Sequence, residues 1–216
     1  MSRFTNRSVA VCATLTLAVL APGCSQNTSP DGSPTAPSSA ALSSSTASAA
    51  RPTLTDAKLQ PPNQDNKYTQ SGGRPKVVVD PCTWTPDDTI RAIGLDPTTR
   101  KRGRDLVAEY TFLTCDFASG PAQDRWSLAV DSGNVSLDEV RQRYAGKSEN
   151  IDINGREAVR TVKNGATTCA VDMKTSVGYL GVEAAFEATP GPDTPAPCDK
   201  AMEFARGLEP IIGAGN

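Results

Sequence analysis

Hydrophobic side chains follow three successive patterns along this chain. The run from Val9 to Ala21 is uncharged and mostly apolar, whereas residues 25–75 carry few large apolar side chains. From Lys76 onward, apolar positions recur with the periods of strands and helices. The first run is too short for a membrane-spanning helix, which needs roughly 20 residues. The pattern predicts an N-terminal targeting segment, a polar linker and one folded region.

Residues 1–23 have the features of a signal peptide. Arg3 and Arg7 make the start of the chain positive, and the short apolar run follows them. The sequence Ala21-Pro22-Gly23-Cys24 resembles a bacterial lipobox, in which the cysteine is acylated and becomes the first residue after cleavage. The resemblance implies lipidation of Cys24 and a location on the outer face of the cell membrane.

Residues 24–75 are predicted to form a disordered tether behind the lipid-anchored cysteine. Residues 25–50 hold nine Ser, six Ala, three Thr and three Pro, and Leu42 is their only large apolar side chain. Such a composition cannot offset the entropy lost when the backbone is ordered. The alternative is a soluble secreted protein that is cut later, near Ala47-Ser48-Ala49.

Helix signals divide the remaining chain, residues 76–216. Thr85 is predicted to cap the first helix, with Pro86 in its first position. Ser136-Leu137-Asp138-Glu139 is a capping box that opens a second helix, and a final helix is predicted to begin near Asp199. With the strands, these helices give the order α-β-β-α-β-β-β-β-α.

The predicted strands alternate apolar and polar residues and are joined by strong turn signals. Asn154-Gly155 and Asn164-Gly165 lie between apolar runs, where both turn residues of a hairpin adopt positive φ. Hairpin connections make the sheet largely antiparallel, and helices must cover at least one of its faces. The prediction is a single α+β layered domain. Its strands are expected at 106–117, 125–130, 151–153, 158–162, 168–173 and 177–186.

The folded region contains four cysteines: Cys82, Cys115, Cys169 and Cys198. Export implies an oxidising environment, so an even number of cysteines indicates two disulfides. Three pairings are possible. We favour Cys82–Cys115 and Cys169–Cys198, because each closes a loop of around 30 residues, which the chain-entropy model values at roughly 3.5 kcal/mol. The wide spacing and the absence of a C-x-x-C motif argue against a zinc site.

Several short motifs in the folded region share their order and spacing with a known family. They are Pro81-Cys82, Ile93-Gly94-Leu95, Cys115-Asp116-Phe117, the run from Asn154 to Val159, Cys169-Ala170-Val171, and Pro197-Cys198 with Ala201 and Ala205. Over about residues 78–212 they resemble the actinobacterial cell-envelope lipoproteins of domain-of-unknown-function family 3558, although Phe117 stands where we expect Trp. The resemblance implies a disulfide-braced, surface-anchored domain. It brings no catalytic residues, because none are established for the family.

The residue inventory excludes several kinds of chemistry. The chain has no His, which removes the Ser-His-Asp and Cys-His nucleophile systems and imidazole metal sites. A formal net charge of -2 argues against nucleic acid as a partner. Asp87-Asp88 suits a helix N-terminus better than acid–base catalysis. We therefore expect a protein that is not an enzyme, with no catalytic residues, no cofactor and no metal.

One run of positive charge stands out between the first helix and the first strand. It consists of Arg100, Lys101, Arg102 and Arg104. A loop carrying these side chains could bind an anion such as a phosphate-bearing envelope polymer or a lipid headgroup. The simpler interpretation, which we favour, is a solvated loop.

Three functions remain. The first is a non-catalytic binding or interaction module of the bacterial cell envelope, which contacts the membrane through its lipid anchor and an envelope protein, polymer or lipid through its domain. The second is a carrier of a small apolar or lipid ligand, which would need a dry cavity between sheet and helices. The third is a His-free hydrolase of wall material, which would need two convergent carboxylates in a cleft. The first is the prediction that we retain.

Overall fold

A computed structural model of the protein describes residues 53–120, 126–164, 167–187 and 191–216. Their strands are β1 (Asp96–Arg102), β2 (Leu106–Val107), β3 (Thr111–Ala118), β4 (Trp126–Gly133), β5 (Ser148–Ile153), β6 (Arg156–Lys163), β7 (Thr168–Lys174) and β8 (Tyr179–Phe186). Their helices are α1 (Lys67–Gln70), α2 (Pro81–Trp84), α3 (Asp87–Ala92), α4 (Leu137–Arg143) and α5 (Pro197–Leu208). The predicted α+β class is confirmed. The predicted signal peptide and Cys24 lie outside the described residues.

The eight described strands form one sheet in the order β1-β3-β4-β8-β7-β6-β5, and β2 also pairs with β3. Neighbouring strands are antiparallel, as the hairpin signals predicted. Asn154 and Gly155 adopt φ values of 54° and 87° in the β5–β6 turn. Asn164 begins the β6–β7 turn with φ 47°, while Gly165 lies outside the described residues.

The first face of the sheet carries the main hydrophobic core. Helix α5 packs on β7 and β8, with Phe204, Ala205 and Leu208 fully buried. Two disulfides tie helices to this face. Cys82 of α2 joins Cys115 of β3, and Cys169 of β7 joins Cys198 of α5, with Cα–Cα distances of 5.0 and 4.9 Å. This is the pairing that the sequence favoured.

The second face carries a smaller cluster under α4. Ser136 and Glu139 form the predicted capping box at the start of this helix. Leu137 and Val140 pack on Val159 of β6 and are buried with it. Helix α4 lies over β6 and β7 rather than over β3 and β4.

Two helix starts differ from the prediction. Thr85 does not cap α3; its hydroxyl donates to the Pro81 carbonyl at 2.7 Å, and Pro86 precedes α3 without a side-chain cap. Helix α5 begins at Pro197, two residues before Asp199, which lies in the first turn. In both places proline occupies or adjoins the helix start, where its missing N–H removes no helical hydrogen bond.

The folded region extends further toward the N-terminus than the predicted boundary. Residues 53–75, here called the N-terminal strap, contact the domain. The Leu54 amide donates to the Thr83 carbonyl at 2.9 Å. The Gln64 side chain donates to the Val77 carbonyl at 3.0 Å and accepts from its amide at 2.8 Å. The strap is held by hydrogen bonds to backbone groups, which composition does not reveal.

Removing the bridge between β7 and α5 tests the role of the disulfides. We expect the double substitution Cys169→Ala and Cys198→Ala to lower the free energy of unfolding by about 2–4 kcal/mol, because the unfolded chain loses a constraint. Urea denaturation measures this change. Ser176→Ala, at an exposed turn position, is the control. An unchanged midpoint in the double variant would contradict the expectation.

Candidate functional site

Polar side chains form a row across the second face of the sheet, at the centre of strands whose opposite face is core. Asp131 of β4 is paired with Gly181 of β8, and Gly181 is paired in turn with Asp172 of β7. Residues that are paired across antiparallel strands point to the same face. The register therefore places two carboxylates on either side of one glycine.

Gly181 allows the two carboxylates to converge. A Cβ atom at this position would lie 2.7 Å from Asp172 Oδ1 and 2.8 Å from Asp131 Oδ1. Both oxygens thus lean over the glycine toward the same point. A larger residue here would have to push them apart.

Burial makes the ionised form of this pair unfavourable. Asp131 is half-buried and accepts a hydrogen bond from the Tyr179 hydroxyl at 2.8 Å, and desolvation by the surrounding strands still raises its pKa. Asp172 is 5% exposed and accepts no hydrogen bond from the described residues. Burial, reinforced by the negative charge of Asp131, raises the pKa of Asp172 to about 7. The pair therefore retains a proton at pH values where an exposed aspartate is ionised.

An ion pair lies next to these carboxylates. Lys163 of β6 reaches across the face to Glu183 of β8, with Nζ 2.8 Å from Oε2. Burial is the largest single influence on Lys163 and lowers its pKa, but the hydrogen bond and charge of Glu183, with the charge of Asp172, together raise it above its usual value. Thr161 points to the same face, and its Oγ1 is buried without a hydrogen-bond partner among the described residues. The centre of the face is polar rather than a second hydrophobic core.

A groove of about 320 Å³ continues from this polar row over β3, β4 and β8. We call it the sheet groove. Small residues floor it, and charged residues stand at its sides. Lys101 Nζ lies 4.0 Å from Asp116 Oδ2, and burial raises the pKa of Asp116. The sheet groove is lined by Lys101, Asp116, Ser127, Ala129, Glu183 and Ala185, among others.

The predicted positive loop has a different structure. Arg100 and Arg102 belong to strand β1, and their guanidinium groups are used inside the molecule. Arg100 donates to the carbonyls of Cys82 and Thr85 at 2.7 Å, and its side chain is 4% exposed. These two arginines are therefore unavailable to an external anion.

Arg102 is also held inside the molecule, whereas Lys101 and Arg104 are exposed. Arg102 donates to the Leu59 carbonyl of the N-terminal strap at 2.6 Å and forms an ion pair with Asp80. Lys101 lines the sheet groove, and Arg104 is exposed. Arg100 and Arg102 therefore stabilise the fold, and Lys101 and Arg104 lie at the surface.

The comparison with family models gives one finding. The model described as "Protein of unknown function (DUF3558)" matches residues 19–210. The chain belongs to this family. Comparison with curated proteins and with solved structures finds no match in either case.

Within this member of the family, sequence reasoning did not identify the carboxylate pair. The local signs were slight: Asp172 lies between Val171 and Met173, and Asp131 lies between Val130 and Ser132. Among the described residues, no three His, Cys, Asp or Glu side chains are grouped as a metal site requires. No helix in the described part of the chain has the length and apolarity to span a membrane.

Replacing Asp172 with asparagine tests the burial of its charge. Because the folded pKa of about 7 lies above the unfolded value of 3.8, folding takes up a proton between these values, and stability falls as pH rises through that window. Asp172→Asn cannot ionise. We expect it to be more stable than the wild type at pH 8, by at most about 4 kcal/mol, with the gain vanishing toward pH 4.

Thermal unfolding at a series of pH values measures this difference. The matched control is Asp193→Asn, at an exposed position in the loop before α5, which should follow the wild type at every pH. A constant offset between Asp172→Asn and the wild type from pH 4 to pH 8 would show that the charge of Asp172 is not the cause.

Proposed function

We propose that the protein is a lipid-anchored, non-catalytic binding module of the bacterial cell envelope, and that it contacts its partner through the sheet groove. The observation that carries this proposal is the polar second face. An apolar cluster at the same positions would be more stable than buried carboxylates and an ion pair. Side chains with perturbed pKa values cluster at functional sites, which favours a functional role for this face.

The two alternatives have less support from the geometry. For the carrier, the layer between the first face and α5 is filled by side chains, among them Phe204, Leu208 and Val182, all fully buried. For the hydrolase, Asp131 and Asp172 do converge, but Asp172 is almost wholly enclosed. A wall polymer can be cleaved only by carboxylates that it can reach. The carboxylates of the sheet groove, Asp116 and Glu183, are each paired with a lysine rather than with each other.

The anchor is tested at Cys24. We expect the wild-type protein to be recovered in the membrane fraction of its native host, with an intact mass that includes fatty acids. Cys24→Ala should move it to the soluble fraction, because the acyl chains on Cys24 are the proposed anchor in the bilayer. A matched control is Cys12→Ala, since Cys12 lies within the segment that cleavage removes. Equal partitioning of the two variants, with no acyl mass, would exclude the anchor.

The sheet groove is tested by site-specific photo-crosslinking on intact cells. A photoreactive residue at Ser127, in the groove, should capture one reproducible envelope component. The same probe at Glu203, on the exposed side of α5, should not capture it. Asp116→Asn should reduce the yield at Ser127 several-fold, because it alters the groove without touching the core. The same products from both probe positions would contradict a groove-specific partner.

A further inference from the structure

The carboxylate pair lies beside the small cluster under α4, because Asp172 is the strand partner of Val159, on which Leu137 and Val140 pack. Tyr179 connects the carboxylate pair with the small cluster under α4. Its hydroxyl donates to Asp131, and its ring packs against the small cluster under α4. Among the described residues, that cluster has three buried hydrophobic members, Leu137, Val140 and Val159, with Val135 and Tyr144 packed against them. By contrast, α5 is bound to the sheet by a disulfide and by the main core.

The polar contacts of α4 add little to this hold. Arg141 reaches Glu157 of β6 at 2.6 Å, and Glu139 pairs with Arg74 of the N-terminal strap. The hydrogen bond from Arg74, with the cap at Ser136, lowers the pKa of Glu139 to about 2. These groups are partly exposed, and ion pairs of this kind contribute from nothing measurable to about 1 kcal/mol.

The groups that face the carboxylate pair do not neutralise it. Strand β8 contributes Tyr179 and Glu183, and β6 contributes Lys163. Tyr144, the residue that follows α4, faces Tyr179 and Lys163 rather than the carboxylates. The Lys163 charge is already paired with Glu183. In the next row, Lys174 of β7 is paired with Glu157 of β6. A second negative charge on the pair would therefore have no cation of its own.

We propose that Asp131 and Asp172 share one proton across Gly181, and that loss of this proton in mildly alkaline solution releases α4 from the second face of the sheet. Two carboxylates that converge on one point cannot both ionise without hydration. Asp131 is already half-exposed, whereas Asp172 is enclosed beside its strand partner Val159, on which α4 packs, so hydration of Asp172 requires this side to open. Local opening of one short helix is a far smaller change than unfolding of the sheet. This device does not depend on what the sheet groove binds.

Hydrogen exchange of the full chain, measured by mass spectrometry and corrected for the intrinsic rate at each pH, tests the release. Between pH 7 and pH 8.5 we expect protection of the α4 amides to fall by up to about tenfold per pH unit, as for a single linked proton. Protection of the α5 amides should not change. Equal protection of α4 at pH 6 and pH 8.5 would overturn the release of this helix.

Variants separate the proton from other effects of pH. Asp172→Asn should keep α4 protected at pH 8.5, and Asp131→Asn should do the same if the first variant does not fold. The matched control, Asp193→Asn, should lose protection as the wild type does. If α4 opened in both the Asp131 and Asp172 variants at pH 8.5, the carboxylate pair would not be the cause.

The sharing itself is tested by a carboxyl-carbon NMR titration of the full chain. The side-chain carbons of Asp131 and Asp172 should titrate together in two coupled steps, as expected for one shared proton. A titration in which only one of the two resonances moves near neutral pH would overturn the sharing.

Discussion

The hydrogen-bonded register of β4, β8 and β7 determines what lies on each face of this protein. Val130, Val182 and Val171 are mutual partners across the three strands and point into the main core. Because side chains alternate along a strand, the residue adjacent to each valine points to the other face. These are Asp131, Gly181 and Asp172. A slip of one residue in any of the three strands would exchange valine for carboxylate or glycine and destroy both faces.

Much of the fold could be predicted because its signals are local. The capping box at Ser136 and the turn at Asn154-Gly155 need only a few neighbouring residues, and both occur as predicted. Strand β1 was missed, because Asp96–Arg102 contains a proline and three cations and shows no alternation. Its arginines are hydrogen bonded to Cys82 of α2, Asp87 of α3 and Leu59 of the N-terminal strap. A contact of that kind becomes visible only in three dimensions.

The carboxylate pair could not be predicted for a similar reason. Asp131 and Asp172 are 41 positions apart in the chain, and they meet only because Gly181 separates them in the sheet. A single aspartate in a strand is unremarkable by itself. Its significance here depends on the register of three strands and on a missing side chain in the middle one. Neither can be read from composition or periodicity.

The N-terminal strap also determines where mechanical load enters the domain. Leu54 is hydrogen bonded to Thr83, which directly follows the disulfide-bonded Cys82. A pull from the preceding chain would therefore reach α2, and then pass through the Cys82–Cys115 bridge into β3. Beyond that hydrogen bond, covalent bonds would carry the tension into the strand that lines one side of the sheet groove, so a pull on the leading end of the domain would be felt at the groove.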